Sequence, residues 1–285
     1  MLCWRASYSH HARCVSEKLE QASERPLVVY AGIDPTAPSI HLGNLVILQS
    51  LLHFHIHGHT TIALMGGATG AIGDPSGRST ERRMLDENEL AHNIESIEAQ
   101  VRLFFERGAR LARKRLAEQQ QQQQLDVAGD EARVKVLNNH TWLGAMSALT
   151  LLGHVGRHMR VGSMLARDSV KSRLNTSQGI SFTEFSYQLL QSYDFWHLFR
   201  HYNCRVQIGG SDQWGNITAG IDYIHRMQQA SATAKPEAGI AGTSGPFGLT
   251  IPLLTTANGQ KFGKSAGNAV WLNEKMTSYF DFYQV

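Results

Sequence analysis

Three groups of residues in this 285-residue chain have the types and spacing to do chemistry. His41-Leu42-Gly43-Asn44 follows an apolar run and opens a helix-like segment, which sets backbone N–H groups and an imidazole where a phosphate chain can lie. Lys261-Phe262-Gly263-Lys264-Ser265 carries two ammonium groups around a flexible glycine, and lysine is a mobile point charge suited to phosphate that moves through a reaction. Tyr187, Gln191 and Asp194 fall at i, i+4 and i+7, so a helix puts these polar groups on one face, with Phe185, Leu189, Leu190 and Tyr193 as packing surface around them. Taken singly, each has a plainer reading: a helix-cap histidine, a basic hairpin tip, a surface acid beside a core aromatic. The two phosphate-suited segments gain weight from their order, about 220 residues apart, in a chain that reads as α/β.

The elements that must position them follow from the hydrophobic pattern. Leu27 to Ile33 reads as a buried strand running into Asp34-Pro35-Thr36, a turn. Leu45, Leu48, Leu51 and Leu52 recur at helical spacing, Gly58 ends that helix, and Thr60 to Met65 is a second strand. This β-α-β unit implies a parallel sheet with a right-handed crossover, and ligands of such sheets sit beyond the carboxyl ends of the strands. Two glycine-rich stretches, 66–70 and 73–77, expose backbone to close approach. A charged helix is expected from near Thr80, running into a six-glutamine tract, Gln119 to Gln124; residues 117–131 read as a solvated insertion. Val134 to Leu137 is a further strand, followed by mixed helical segments to about Leu174. Ser181 to Glu184 forms a capping box for a helix reaching towards Phe199, Arg205 to Ile208 is a strand, and a helix follows Gly209-Gly210-Ser211-Asp212. Gln228 to Gly245 reads as a surface loop ahead of a strand at Leu249 to Leu254.

Composition narrows the class without naming a function. With 42% hydrophobic residues, 26 Gly and 7 Pro the chain can bury a sizeable core and is neither collagen-like nor compositionally disordered. Its charge of +3 suits a nucleic-acid partner and equally suits many metabolic enzymes. Cys3, Cys14 and Cys204 are odd in number and lack C-x-x-C spacing, which points away from a disulfide framework or a thiolate zinc site. His53, His55, His57 and His59 alternate, but on a helix only His53 and His57 share a face, so a solvated helix end is favoured over a metal site. No apolar run of about 18 residues occurs, and no membrane partner is expected. Met1 to Ser16 holds Arg5 and Arg13 and no acid, which resembles an organellar transit segment as much as an ordinary disordered start.

Together these segments carry a resemblance. His41 to Asn44 looks like the HIGH motif, and Lys261 to Ser265 like the KMSKS motif, of class I aminoacyl-tRNA synthetases. Tyr30 to Thr36, Gly73 to Gly77, Ile180 to Tyr187 and Gln207 to Ile217 resemble the bacterial and mitochondrial tyrosyl enzymes, with matching segments from about Tyr30 to Gln284. The resemblance implies a Rossmann-like parallel sheet flanked by helices and a tyrosine--tRNA ligase activity using L-tyrosine, ATP with Mg2+, and tRNA(Tyr), with no tightly bound cofactor. It implies that Tyr30 and Asp194 take the phenolic hydroxyl, that Asp74, Tyr187 and Gln191 hold the ammonium, and that Gln207 lines the pocket. Physically, Tyr30 as donor and Asp194 as acceptor bracket a phenol, and a ring lacking the hydroxyl leaves both unpaired.

For ATP the resemblance assigns Gly32, Asp34, His41 and Asn44 to the nucleotide site, Gly210 and Asp212 to the ribose, and His41, Thr36, Lys261, Lys264, Arg78 and Arg82 to the phosphates. Asn44 departs from the commonest form of the first motif, which has a second histidine there. Asn keeps a hydrogen-bond donor and loses the option of charge. Residues 1–26 are expected to be a leader or disordered segment and 27–285 the catalytic domain, with the family's helical anticodon-binding domain absent. A homodimer with its interface around Trp142 to Leu165 is implied, and a mitochondrial matrix location is expected, with the cytoplasm as the alternative. The competing functions are a synthetase-derived RNA-binding or regulatory protein without full aminoacylation activity, and an adenylyl-transferring enzyme for another small acid, which Tyr30 and Asp194 together oppose.

Overall fold

The structure is a computed structural model that describes residues 26–78, 80, 81, 84–119, 133–233, 245–256, 258, 259, 261–264 and 267–284. The transit-like start, nearly all of the glutamine-rich insertion, Arg82 and Ser265 lie outside the described residues. Among those described, five strands form one parallel sheet: β1 (Val28–Ile33), β2 (Thr60–Met65), β3 (Val134–Asn138), β4 (Val206–Gly210) and β5 (Phe247–Ile251), in the order β3-β2-β1-β4-β5. Four long helices cover it: α1 (Leu42–Ile56), α2 (Glu87–Gln119), α3 (Phe182–Tyr202) and α4 (Trp214–Thr233).

The period-2 pattern of the strands divides the core in two. Val29, Ala31 and Ile33 of β1 pack with Leu48 and Leu51 of α1 and Ile97, Val101 and Phe105 of α2 on one face. Tyr30 points to the other face, among Phe195 and Leu198 of α3 and Tyr223 and Ile224 of α4. Burying Leu48 and Leu51 fully is worth roughly 1.5–3 kcal/mol each, which fastens α1 to the sheet below the first motif. Strands covered on both faces are the usual setting of a parallel sheet. The strand order reverses between β1 and β4, and a cleft opens beyond their carboxyl ends there.

Several expected boundaries move: the last strand lies at Phe247–Ile251 instead of Leu249 to Leu254, paired along β4, and β4 itself runs from Val206 to Gly210 instead of Arg205 to Ile208. The charged helix starts at Glu87 and not near Thr80, because the Asp86 carboxylate accepts the N–H of Glu89 at 2.8 Å and caps it. The loop expected from Gln228 begins later, since α4 continues to Thr233 through Gln228-Gln229-Ala230-Ser231-Ala232, where alanine and glutamine sustain a helix. The Ser181 hydroxyl accepts the N–H of Glu184 at 3.3 Å, so α3 starts where expected. The Glu184 carboxylate meets Arg173 at 2.8 Å, both 1% exposed; removing either partner of such a pair costs about 3–5 kcal/mol.

The histidine series also differs in part from its expectation. His53 and His57 are exposed, as a solvated helix end requires, whereas His55 is buried edge-on against Phe105 and His59 accepts the N–H of Leu27 through Nδ1 at 3.2 Å, so one face of the end of α1 packs on the core. No group of metal-ligating side chains occurs among the described residues, and no described helix is long and apolar enough to cross a membrane.

Candidate active site

The cleft has a volume of about 570 Å³ and is lined from β1, the glycine-rich turns after β2, α3, β4 and the loop after β5. It gathers Tyr30, Gly32, Asp34, Thr36, His41, Asn44, Asp74, Arg78, Tyr187, Gln191, Asp194, Gln207, Gly210, Asp212, Lys261 and Lys264. Of the residues assigned to tyrosine or ATP, Arg82 lies outside the described residues, as does Ser265 of the second motif.

At its deep end the side chains form one polar network. Asp194 is 2% exposed; its Oδ1 accepts from Trp142 Nε1 at 2.8 Å and its Oδ2 from Asn139 Nδ2 at 2.9 Å. Asn139 is itself anchored, accepting the N–H of Ala68 at 2.8 Å and donating to Thr69 Oγ1 at 3.0 Å. Thr69 donates to Asp34 Oδ1 and Tyr187 Oη to Asp34 Oδ2, each at 2.8 Å. Burial pushes the Asp194 carboxyl up to about 7 against the pull of its donors Asn139 and Trp142, with the Asp34 charge adding to the rise. Tyr30, 1% exposed, has its phenol held well above its ordinary range, first by burial and then by the Asp194 charge, so it stays a donor.

The register of the sheet sets Tyr30 beside Gln207 on adjacent strands. Among the described residues Tyr30 Oη, Gln207 Oε1 and Gln191 Oε1 are buried with no hydrogen-bond partner. A buried polar atom left so costs about 1–3 kcal/mol, and three of them lining one cleft mark a seat for a polar ligand. Further along, Asp74 accepts from Gln213 Nε2 at 2.6 Å, Asn216 Nδ2 at 3.2 Å and the N–H of Ser76 at 3.0 Å, and Gln191 Nε2 donates to Gln213 Oε1 at 3.4 Å. With Tyr187, which Asp34 holds, this puts a carboxylate, a phenol oxygen and the Gln191 amide oxygen at one wall, acceptors suited to a small cation such as an ammonium.

At the mouth the two phosphate-suited segments touch. His41 caps α1: its Nδ1 accepts the N–H of Gly43 at 3.1 Å, while Asn44 Oδ1 accepts the N–H of His41 at 3.2 Å. Burial, and then Lys261, lowers the His41 pKa, so the ring is neutral at pH 7 with its proton on Nε2, a donor available to phosphate oxygen. A Cβ on Gly43 would lie 2.9 Å from the His41 ring and 3.4 Å from the carbonyl of Phe262, so glycine there permits the approach, while a Cβ on Gly263 would sit in ordinary contact with that ring at 3.7 Å. Lys261 Nζ meets Asp212 Oδ2 at 2.6 Å, and Lys264 Nζ donates to the carbonyl of Thr36. A Cβ on Gly32 would meet nothing within 4 Å, so the backbone of β1 is open to the cleft at that point.

The sequence reading missed five side chains that hold this site: Thr69, Asn139, Trp142, Gln213 and Asn216. Asn139 follows the carboxyl end of β3, a position where ligand-binding residues of parallel sheets collect, and that signal was available. Gln213 and Asn216 lie one turn apart just after β4 and had no pattern of their own.

The chain and its fold are similar to known proteins. The profile of the family described as tRNA synthetases class I (W and Y) matches residues 21–285. The chain is 48% identical over 256 residues to the mitochondrial tyrosine--tRNA ligase of Saccharomyces cerevisiae, covering 90% of this chain and 49% of that protein. It is 44% identical over 269 residues to the tyrosine--tRNA ligase of Protochlamydia amoebophila, covering 94% and 55%. The chain thus spans about half the length of the curated relatives it matches. Among solved structures, a C-terminally truncated mitochondrial tyrosyl-tRNA synthetase of Aspergillus nidulans superposes with a TM-score of 0.77 at 33% identity, over 94% of this chain and 69% of that one.

Proposed function

Because the chain belongs to the class I tRNA synthetases of the W and Y group, we propose that it activates L-tyrosine with ATP to tyrosyl-adenylate and passes the tyrosyl group to tRNA(Tyr). One observation carries the choice of amino acid: the buried, unpartnered Tyr30 hydroxyl close to the buried Asp194 carboxylate. Tyr30 donates to the phenolic oxygen and Asp194 accepts its proton. Phenylalanine leaves both groups desolvated and unpaired, which is the costly case. Asp74, Tyr187 and Gln191 hold the ammonium, and Gln207 closes the pocket beside Tyr30.

ATP lies across the carboxyl end of β1, with Gly32, Asp34 and Asn44 at the nucleotide and Gly210 and Asp212 at the ribose. ATP would enter as its Mg2+ complex, the ion adding positive charge at the phosphates. The tyrosine carboxylate, ionised at neutral pH, attacks the α-phosphorus in line; the bond to the β-phosphate oxygen breaks and pyrophosphate leaves. Negative charge grows on the departing group, where Thr36, the Nε2–H of His41, Lys261, Lys264, Arg78 and Arg82 would meet it. No covalent enzyme intermediate and no general base are needed.

The functional protein is a homodimer. Leu149, 84% exposed, with Leu152, Val161 and Leu165 leaves an apolar face on the segment from Trp142 to Leu165 that a second copy would cover. Its place of work is the mitochondrial matrix, a reading supported by the likeness to the mitochondrial yeast enzyme and by the arginine-bearing, acid-free start. Tyrosine-dependent ATP–pyrophosphate exchange by the purified chain is the test. Exchange with tyrosine and not with phenylalanine supports the proposal; no exchange, or exchange driven by another acid, refutes it.

A further inference from the structure

We infer that His197 is a positioning residue for the Asp194 carboxylate, acting through the indole of Trp142; the inference rests on the reading of Asp194 as acceptor for the tyrosine hydroxyl. On α3, His197 follows Asp194 by three residues, close to one helical turn, so both project to the same side. The imidazole of His197 lies flat on the Trp142 indole, with ring centroids 4.1 Å apart and planes 13° from parallel. The Nε1 of that same indole donates to Asp194 Oδ1 at 2.8 Å. One helix therefore supplies both the carboxylate and the stack that aims its donor.

Trp142 packs partly buried against the core, and the stack adds a flat support on its ring. It belongs to a helix of four residues, His140–Leu143, which is too short to hold a heavy side chain by its own backbone bonds. The other donor to Asp194, Asn139, is tied independently to Ala68 and Thr69. Loss of the stack would thus loosen one of two donors and leave the second in place. His197 is backed in turn by His201, with ring centroids 4.4 Å apart, and by Tyr202 at 6.3 Å and Tyr193 at 6.4 Å. Burial and then His201 push its pKa down to about 4, so at neutral pH it is an uncharged flat ring. Neither His197 nor Trp142 is among the described residues lining the cleft, so His197 acts behind the wall and not on the substrate.

The test compares His197→Ala with His197→Phe, which restores a flat ring, and His197→Leu, which keeps bulk without one. In ATP–pyrophosphate exchange, His197→Ala and His197→Leu are expected to lower kcat/KM for tyrosine about threefold to tenfold, the range of an aromatic pair, chiefly through KM. Phenylalanine meets no partner at Asp194, so its value changes less and the tyrosine-to-phenylalanine ratio narrows by a similar factor. His197→Phe is expected to recover the ratio. A readout free of activity is solvent exchange of the Trp142 indole N–H, its resonance identified by loss in Trp142→Phe: faster in the Ala and Leu variants, restored in Phe. Unchanged indole exchange and an unchanged ratio in His197→Leu, or a Phe variant as impaired as Leu, would overturn the inference. Wild-type protein that does not distinguish tyrosine from phenylalanine would instead refute the reading of Asp194, while the indole exchange would still decide whether the stack holds the donor.

Discussion

Lys261 Nζ lies 2.6 Å from Asp212 Oδ2, which pairs a group read as serving phosphate with a group read as serving ribose. Nucleotide entry would have to divide this pair, each member exchanging the other for a part of ATP. The pair is partly exposed and contributes little to stability. Lys261→Gln is therefore expected to leave the melting temperature nearly unchanged and to lower kcat of tyrosine-dependent exchange by about 100-fold, as for a lost donor to developing charge. Steady-state exchange at varied ATP and tyrosine checks this; a kcat within about twofold of wild type would remove Lys261 from the phosphate site.

The raised pKa of Asp194 gives a signed pH effect on stability. The folded carboxyl titrates at about 7 against its ordinary 3.8, so between those values the folded state binds more protons and stability falls as pH rises. Asp194→Asn removes that loss. Its unfolding free energy should exceed that of wild type at pH 8 by on the order of 2–4 kcal/mol, and by much less at pH 4. Urea unfolding at the two pH values measures it, and an equal difference at both would contradict the assignment.

Tyrosine binding should carry the same titration in the opposite sense. The hydroxyl needs an ionised acceptor, so affinity rises as pH increases through about 7, and binding below that value releases a proton. Calorimetry at pH 6 in two buffers of different ionisation enthalpy detects the proton. Tyr30→Phe, which deletes the donor, should cost about threefold to tenfold in tyrosine affinity and little for phenylalanine.

Asn44 engages the His41 backbone through its amide oxygen, and the His41 ring is neutral at pH 7. Wild-type exchange should show no titration near neutrality from this turn. Asn44→His should add one close to the ordinary histidine value of about 6.5. Measured as kcat at saturating tyrosine, where the Asp194 titration of free enzyme no longer enters, a wild-type pH profile already bearing that step would count against the assignment.

Gly32 opens on empty space, so Gly32→Ala adds a methyl without strain and directs it into the cleft. Stability should be unchanged while KM for ATP rises several-fold. A lower KM, or an altered melting temperature alone, would show that nucleotide does not lie against this backbone.

The sheet was legible in the sequence because its signals are local. Short apolar runs at Leu27 to Ile33 and Thr60 to Met65, the helical leucines between them and Gly58 at their end describe one β-α-β unit without reference to anything distant. The site was legible where one element carries several members, as α3 does with Tyr187, Gln191 and Asp194. Thr69, Asn139 and Trp142 were not, because each is a single polar residue whose partner lies 35 or more positions away. A distance of that kind is set by the order of strands, which no local pattern states. The start of α2 was misread for a smaller reason: Asp86-Glu87-Asn88-Glu89 is a cap signal, and the charged residues ahead of it looked helical.

Tyr30 and Gly32 stand two residues apart on β1, pointing the same way, with about 6.6 Å of strand between them. Under the proposed reading that interval works as a gauge. It fixes how far a ring anchored by its hydroxyl at one mark can extend a carboxylate towards a phosphorus held at the other. An amino acid with the right head and one methylene too many would seat its ring and overshoot by about 1 Å, enough to lose on the order of 100-fold in rate. Length would then be proofread by the rigidity of a strand pinned on both sides, with no side chain assigned to the task.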